Sequence, residues 1–460
     1  MLDDTIAAIA TPPGEGGIAI VRVSGPDAIR MVDRIYRPVP GGRTLAARPG
    51  YSLGLGWIVD ANGDKVDEVL VSLMRAPKSY TAEDVVEINC HGGQLPARRC
   101  LEETLKQGAR LAEPGEFTRR AFLNGRLDIT QAEAVLDVIR AKTAKGMQIA
   151  LRQLEGGLGQ RLRQLEERLV RVNAMVEASI DFPEEVGDID VTEATGELEL
   201  VAREVARILR ASQRGRIYRQ GIKGVIAGKP NVGKSSLLNA VLREKKAIVT
   251  DIPGTTRDVV EDYINIRGIP IRLMDTAGMR DTEDLVEKIG VEKSKEALAE
   301  ADLVIIVLDV TSGITAEDRK IAAMCEGKKT IVLVNKEDLE ARHVSPGELA
   351  ELFPDTPIIH GSVKEEIGLE ELEDTVEAMI VGEGIRVDDM EIMVNLRHEQ
   401  ALRRVYQHVQ AARKGLQEGV TLDCLAVDVW GALEALGEVS GKTLREDVID
   451  RIFHDFCIGK

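Results

Sequence analysis

Twelve residues near the middle of the chain, Val225-Ile-Ala-Gly-Lys-Pro-Asn-Val-Gly-Lys-Ser-Ser236, carry an apolar run straight into the pattern G-x-x-x-x-G-K-S. Such a stretch holds a polyphosphate mainly by its backbone. Gly228 and Gly233 let the chain wrap with its N–H groups inward, and the positive end of the helix that follows faces the same point. Lys234 is suited to reach the β and γ phosphates and Ser235 to ligate Mg2+, while Asn231, Val232, Gly233 and Ser236 complete the loop.

Further along, Ile271-Arg-Leu-Met runs into Asp275-Thr276-Ala277-Gly278, the pattern D-x-x-G. Asp275 can hold the Mg2+ shell, and the Gly278 N–H can sense a γ phosphate. Between these motifs lies Thr250-Asp251-Ile252-Pro253-Gly254-Thr255-Thr256, whose hydroxyls suit a segment ordered by the terminal phosphate, with Thr256 as the second Mg2+ ligand. After an apolar strand comes Asn335-Lys336-Glu337-Asp338. The Asp338 carboxylate can accept both the ring N–H and the exocyclic amine of guanine, a pair that adenine does not offer. Gly361-Ser362-Val-Lys364 completes the base pocket. The order and spacing of these motifs predict binding of GTP and not ATP. Met279 stands where many GTPases place the glutamine that orients the attacking water, and methionine cannot do that work. Asp281, Glu283, Asp284 and Glu287 are the candidates to replace it, and a bound cation is one substitute for an arginine finger.

The elements that position these residues must be spread over more than one core, because 460 residues are too many for one. A formal charge of −17 excludes a protein that coats nucleic acid nonspecifically and leaves room for a local basic patch. The five cysteines include no C-x-x-C pair, so neither a zinc site nor a disulfide framework is indicated, and a reducing cytoplasm fits. Met1-Leu2-Asp3-Asp4 is acidic where a secretory signal is basic, and the apolar run Leu303–Leu308 is too short to span a bilayer, so no membrane is expected.

Residues 1–118 alternate β-type runs, such as 18–23 and 85–88, with Gly and Pro turns, and one helical stretch lies near 94–106, which predicts an N-terminal α+β domain. Its turns Thr11–Gly17, Cys90–Gly93 and Glu113–Phe117 read as plain connections. From Leu127 the period becomes helical, over 119–215. Thr130 and Glu133 form a capping box, and Leu158, Leu162, Leu165, Leu169, Val172 and Val176 recur at steps of three and four. Asp181-Phe182-Pro183 breaks that helix, and another follows over about 191–213. Its Arg203, Arg207, Arg210 and Arg214 make a stripe that could grip a phosphate backbone or be a solvated face answering nearby acids. Residues 216–383 alternate strand and helix, as a P-loop α/β domain with a mostly parallel sheet requires. Helical sequence returns over 384–460, where Thr443 and Glu446 cap a last helix bearing Leu444, Val448, Ile452 and Phe456 on one side. The α/β unit is therefore expected to be inserted into an all-α domain built from both flanks.

From end to end, and down to Phe456-Cys-Ile-Gly-Lys460, the chain resembles the bacterial tRNA-modification GTPases of the MnmE (TrmE) family. The resemblance implies a homodimer joined through the N-terminal domains. It also implies an FAD-dependent, MnmG-like partner in a heterotetramer and modification of a tRNA wobble uridine at carbon 5. The one-carbon unit would come from 5-formyl- or 5,10-methylene-tetrahydrofolate. It implies a K+ ion at the contact between two G domains, held at Asn231, Thr250, Ile252 and Thr255, and a water-orienting carboxylate at Glu287. Folate contacts would fall on Arg22, Glu87, Arg126 and Lys460. A carboxylate suits the guanidine-like edge of a pterin and cations suit a glutamate tail, while Arg126 replaces the lysine more usual there. Cys457 matches the family's C-terminal cysteine, where a structural role and a catalytic one both remain open.

Overall fold

The computed structural model describes residues 4–244, 263–274, 296–382 and 394–460. The first sheet has seven strands: β1 (Ile6–Ile9), β2 (Ile18–Ser24), β3 (Tyr36–Pro38), β4 (Ser52–Val59), β5 (Lys65–Met74), β6 (Val85–His91) and β7 (Arg110–Leu111). They lie in the order β3-β4-β5-β6-β2-β1-β7, antiparallel throughout except where β7 joins β1. Along β2 the residues Ala19, Val21 and Val23 are buried while Arg22 points to the other face, the alternation of a half-covered strand. The helices Ala28–Ile35 and Gln94–Lys106 close the inner face and share one core with it. The helix expected near 94–106 is thus present, and the α+β reading of this region holds.

The second sheet comprises β8 (Ile222–Ala227), β9 (Tyr263–Ile266), β10 (Ile269–Leu273), β11 (Leu303–Asp309), β12 (Thr330–Asn335) and β13 (Ile358–His360), in the order β13-β12-β11-β8-β10-β9. Every pair is parallel except the β9–β10 hairpin. Every residue of β11 and β12 is buried, as in a sheet covered by helices on both faces.

Four long helices, Gly157–Asp181, Val191–Gln220, Leu396–Glu418 and Leu422–Ser440, pack around one apolar core. Two of them precede the second sheet in sequence and two follow it, so that sheet is inserted into the helical domain. Leu158, Leu162, Leu165, Leu169, Val172 and Val176 are all buried on the first of the four, as their spacing requires. It ends at Asp181, with Phe182 as its C-cap just before Pro183.

Three local expectations differ from the structure. The second long helix continues past residue 213 to Gln220, because Tyr218, almost fully buried, gives its polar last turns an inward face. The capping box of helix Ile129–Arg140 is formed by Asp128 and Gln131, not by Thr130 and Glu133. Both threonine and aspartate can cap a helix, and burial decides between them here, because Glu133 is drawn inward to His398 and Arg397. Likewise helix Glu446–His454 has Arg445 at its N-cap with no side-chain bond, and the Thr443 hydroxyl donates instead to the Glu434 carbonyl. On that helix Phe453 supplies the buried contact, and it joins Phe456, Ile129 and Val135 in a small core. Among the described residues no helix is long and apolar enough to cross a membrane.

Candidate nucleotide site and N-terminal cleft

The phosphate-type loop leaves the C-terminal end of β8, in the interior of the parallel sheet, and runs into helix Lys234–Glu244. This is where ligands sit in such sheets. Gly228 and Gly233 have φ of 147° and 107°. A Cβ on Gly228 would lie 2.4 Å from the Val307 carbonyl oxygen, and one on Gly233 would lie 2.3 Å from Asn335 Nδ2. Both positions therefore require glycine on backbone and steric grounds. Lys234 Nζ folds over the loop and donates to the carbonyls of Gly228 and Lys229 at 2.6 and 2.7 Å. Burial holds its pKa below the usual lysine range. Val232 anchors the loop in the core, while Ser235 and Ser236 remain exposed on the first helical turn.

Asn335 joins the loop to the base-side segment. Its amide donates to the Val232 carbonyl at 2.8 Å, and its oxygen accepts from the Val363 N–H at 2.9 Å. Lys336 Nζ donates to the Asn231 carbonyl at 2.9 Å and pairs with Asp309 at 2.6 Å. The buried Ser362 hydroxyl donates to Asp338 at 2.6 Å, which lowers the pKa of that carboxyl and aims it. Asn231, Val232, Gly233, Lys234, Asn335, Lys336, Asp338 and Ser362 are thus linked in one assembly. Residues 250–256, Asp275, Thr276, Ala277, Gly278, Met279, Asp281, Glu283, Asp284 and Glu287 lie outside the described residues. A larger cleft of 630 Å³ opens among Arg216, Lys223, Arg272 and Lys329, but at the N-terminal end of β8, away from the loop.

Two loop partners escaped the motif reading. Lys229 donates to the Gly313 carbonyl and to buried Asp318, each at 3.1 Å. Asp318 forms a capping box with Thr315, and the sequence signal that could have found it is T-x-x-D before a helix.

In the N-terminal domain Arg22 on β2 and Glu87 on β6 are direct cross-strand partners, with Nε to Oε1 at 2.8 Å. Arg22 also donates to the Gly459 carbonyl at 3.1 Å, so the C-terminal tail docks on the first sheet. A Cβ on Gly459 would lie 2.5 Å from the Ile9 carbonyl oxygen, and one on Gly115 would lie 2.5 Å from that of Phe453. The Glu113–Phe117 turn is therefore more than a connection, since the tail packs on it. Tyr80, which carries no motif signal, has two guanidinium groups near its ring, Arg22 at 5.5 Å and Arg126 at 5.0 Å from the ring centre. Arg126, Lys460, Tyr80, Gln131 and Leu154 line a cavity of 460 Å³, beside which the Arg22–Glu87 pair stands. Burial and the nearby Arg22 lower the Lys460 pKa. Cys457 is exposed.

Among the described residues Asp67, Cys90 and Cys100 bring potential metal donors within 4.8 Å of one another. Both Asp67 oxygens are already committed to His91, one to its N–H at 2.8 Å and the other to its ring at 2.6 Å, so the group fits a packed core better than a metal centre. Within the arginine stripe Arg203 pairs with Glu199 at 3.1 Å, an exposed contact of the solvated kind.

Residues 5–126 match the family model for the GTP-binding protein TrmE N-terminus, and residues 129–457 match that for the MnmE helical domain. The chain is 60% identical over 460 residues to the tRNA modification GTPase MnmE of Syntrophomonas wolfei, covering 100% of both. It is 49% identical over 462 residues to that of Desulforamulus reducens, again covering 100% of both. Among solved structures, Era in complex with MgGDPNP and a 16S ribosomal RNA fragment is 30% identical over 41% of this chain and 66% of that one, with a TM-score of 0.27. Two family models and full-length relatives across the whole chain place it: this protein belongs to the MnmE family of tRNA modification GTPases.

Proposed function

We propose that this GTPase, working with an FAD-dependent MnmG-like flavoprotein, modifies carbon 5 of the wobble uridine of certain tRNAs with a one-carbon unit from a reduced folate. In this reading GTP hydrolysis is coupled to the approach of two G domains in a homodimer, in a K+-dependent manner. The observation that carries the reading is that one chain holds both an organised guanine-nucleotide assembly and a cationic, aromatic-walled cleft that its own C-terminal tail completes.

At the nucleotide, the backbone of 228–236 would cradle the phosphates, with Lys234 on the β and γ groups and Asp338 and Ser362 on guanine. Ser235, exposed on the first helical turn, fits a Mg2+ ligand, with Thr256 and Asp275 as its companions. Mg2+ would offset phosphate charge, and K+ at Asn231, Thr250, Ile252 and Thr255 would do so in place of an arginine finger. Asn231 has a positive φ of 62°, which turns its carbonyl to Lys336. Glu287 would orient the attacking water. In the cleft, a volume of 460 Å³ and a lining of Tyr80, Arg126 and Lys460 suit a flat anionic ligand such as a folate, with Glu87 reading the pterin edge. The exposed Leu53, Leu55 and Leu70, with Leu55 and Leu70 in cross-strand register, give the N-terminal sheet an apolar outer face that supports the dimer.

The test pairs two measurements. GTP hydrolysis should fall about ten-fold or more when Na+ replaces K+ at equal ionic strength. Wobble nucleosides from cells lacking the gene should have lost a 5-substituted uridine by mass analysis. Equal rates in both salts remove the K+ role, and intact wobble uridines remove the function.

A further inference from the structure

Strands β9 and β10 form a hairpin whose two open ends lead in sequence to the two motif segments: Thr256 precedes Tyr263, and Asp275 follows Leu273. At its other end the hairpin turns through Arg267 and Gly268, with φ of 50° and 89°, as a two-residue turn between twisted strands demands. That tip is held from several sides. The Thr143 hydroxyl donates to the Gly268 carbonyl at 2.8 Å and accepts from the Gly146 N–H at 3.1 Å, so one group both caps helix Ala144–Leu154 and grips the turn. The Lys145 stem lies across the glycine, where a Cβ would meet its Cδ at 2.7 Å. Lys145 Nζ continues to Glu377 at 3.1 Å, on helix Leu369–Val381, and Arg267 reaches Asp374 on that helix at 2.6 Å.

Beneath the tip, Ile149 and Ala150 of the helical domain share a core with Ile264, Ile266, Ile269 and Ile271 of the hairpin. A hairpin that shifts must carry helix Ala144–Leu154 with it or give up these contacts together, because a close-packed core does not deform continuously. The next helix back, Ile129–Arg140, holds Arg219 through Asp137 at 2.6 Å, just before the chain turns into β8. We propose that the β9–β10 hairpin, clamped at its tip by Thr143 and Lys145, is the positioning element that couples the nucleotide-dependent segments to the helical domain. This rests on the reading above, in which GTP turnover drives tRNA modification.

The experiment follows hydrogen–deuterium exchange in the full chain with GDP and with GDP plus aluminium fluoride, in K+ buffer, beside GTP hydrolysis and tRNA modification. Exchange in peptides covering 141–154 should differ between the two nucleotide states in the wild type. Thr143→Val and Lys145→Glu should shrink that difference and cut modification per GTP hydrolysed about five-fold or more, with hydrolysis itself within about two-fold of wild type. Adding Glu377→Lys to Lys145→Glu should restore both readouts, which a merely destabilising change would not do. Identical wild-type exchange in the two states while hydrolysis proceeds overturns the proposal, as does a folded, hydrolysing charge swap that restores neither readout. A wild-type protein that shows nucleotide-dependent exchange but no tRNA modification would instead overturn the functional reading and leave the clamp standing.

Discussion

The nucleotide assembly and the N-terminal cleft both gather charged groups around a space, but they are built in opposite ways. Around the nucleotide loop a single stretch from Gly228 to Ser236 sets most of the geometry through two glycines and a helix start, and Asn335 and Ser362 then lock its neighbours. The cleft has no such stretch. Arg22 and Gly459 stand 437 residues apart, and their contact exists only because the tail folds back on the first sheet. A site written in local backbone geometry is specific as a motif, whereas a site written in domain packing is a set of isolated residues until the fold brings them together.

Matched substitutions test this difference. Gly233→Ala forces a Cβ into Asn335 at a φ of 107°. The loop cannot move aside without losing its phosphate-facing amides, so GTP affinity should fall about 100-fold or more by titration, with ligand binding in the cleft untouched. Gly459→Ala places its Cβ 2.5 Å from the Ile9 carbonyl. The tail can partly lift away, so affinity for the reduced folate proposed for the cleft should drop by about ten-fold while GTP binding stays as in the wild type. If either change weakened GTP and the folate proposed for the cleft equally, the two sites would be one cooperative unit and the contrast would fail.

The smallest expected effect sharpens the comparison at the helix between the two regions. On Ile129–Arg140, Glu133 and Asp137 lie one turn apart with opposite shifts. Burial raises the pKa of Glu133, but His398 and Arg397 outweigh it and hold the group at about 2. Burial raises Asp137 from 3.8 to about 6 despite its Arg219 partner. An acid whose folded pKa exceeds its unfolded one stabilises most at low pH, and that contribution is lost as pH climbs through the folded value. Asp137→Asn should therefore gain on wild type by on the order of 1 kcal/mol between pH 4 and pH 7 in denaturant unfolding. A constant difference across that range would show that Arg219 fully offsets the burial of Asp137.

Much of this architecture is legible in the sequence where one local rule dominates. The leucine spacing of 158–176 gives the buried face of a long helix, and the unbroken apolar run in β11 gives a strand covered on both sides. What the sequence hides is decided by distant partners. Glu133 looks like a capping residue until His398, far along the chain, takes it inward. The helix that the sequence ends near 213 runs on to Gln220, because Tyr218 is buried in one core with Ile149 and the hairpin strands. Tyr80 carries no signal at all until the fold brings Arg22 and Arg126 to its ring.

The docked tail also has a consequence in time. Translation delivers Arg22 long before Gly459, and at roughly 5–20 residues per second the interval across 437 residues is on the order of a minute. For that period Arg22 in the nascent first sheet has Glu87 but lacks its Gly459 acceptor, and the cleft is among the last features of the newborn protein to mature.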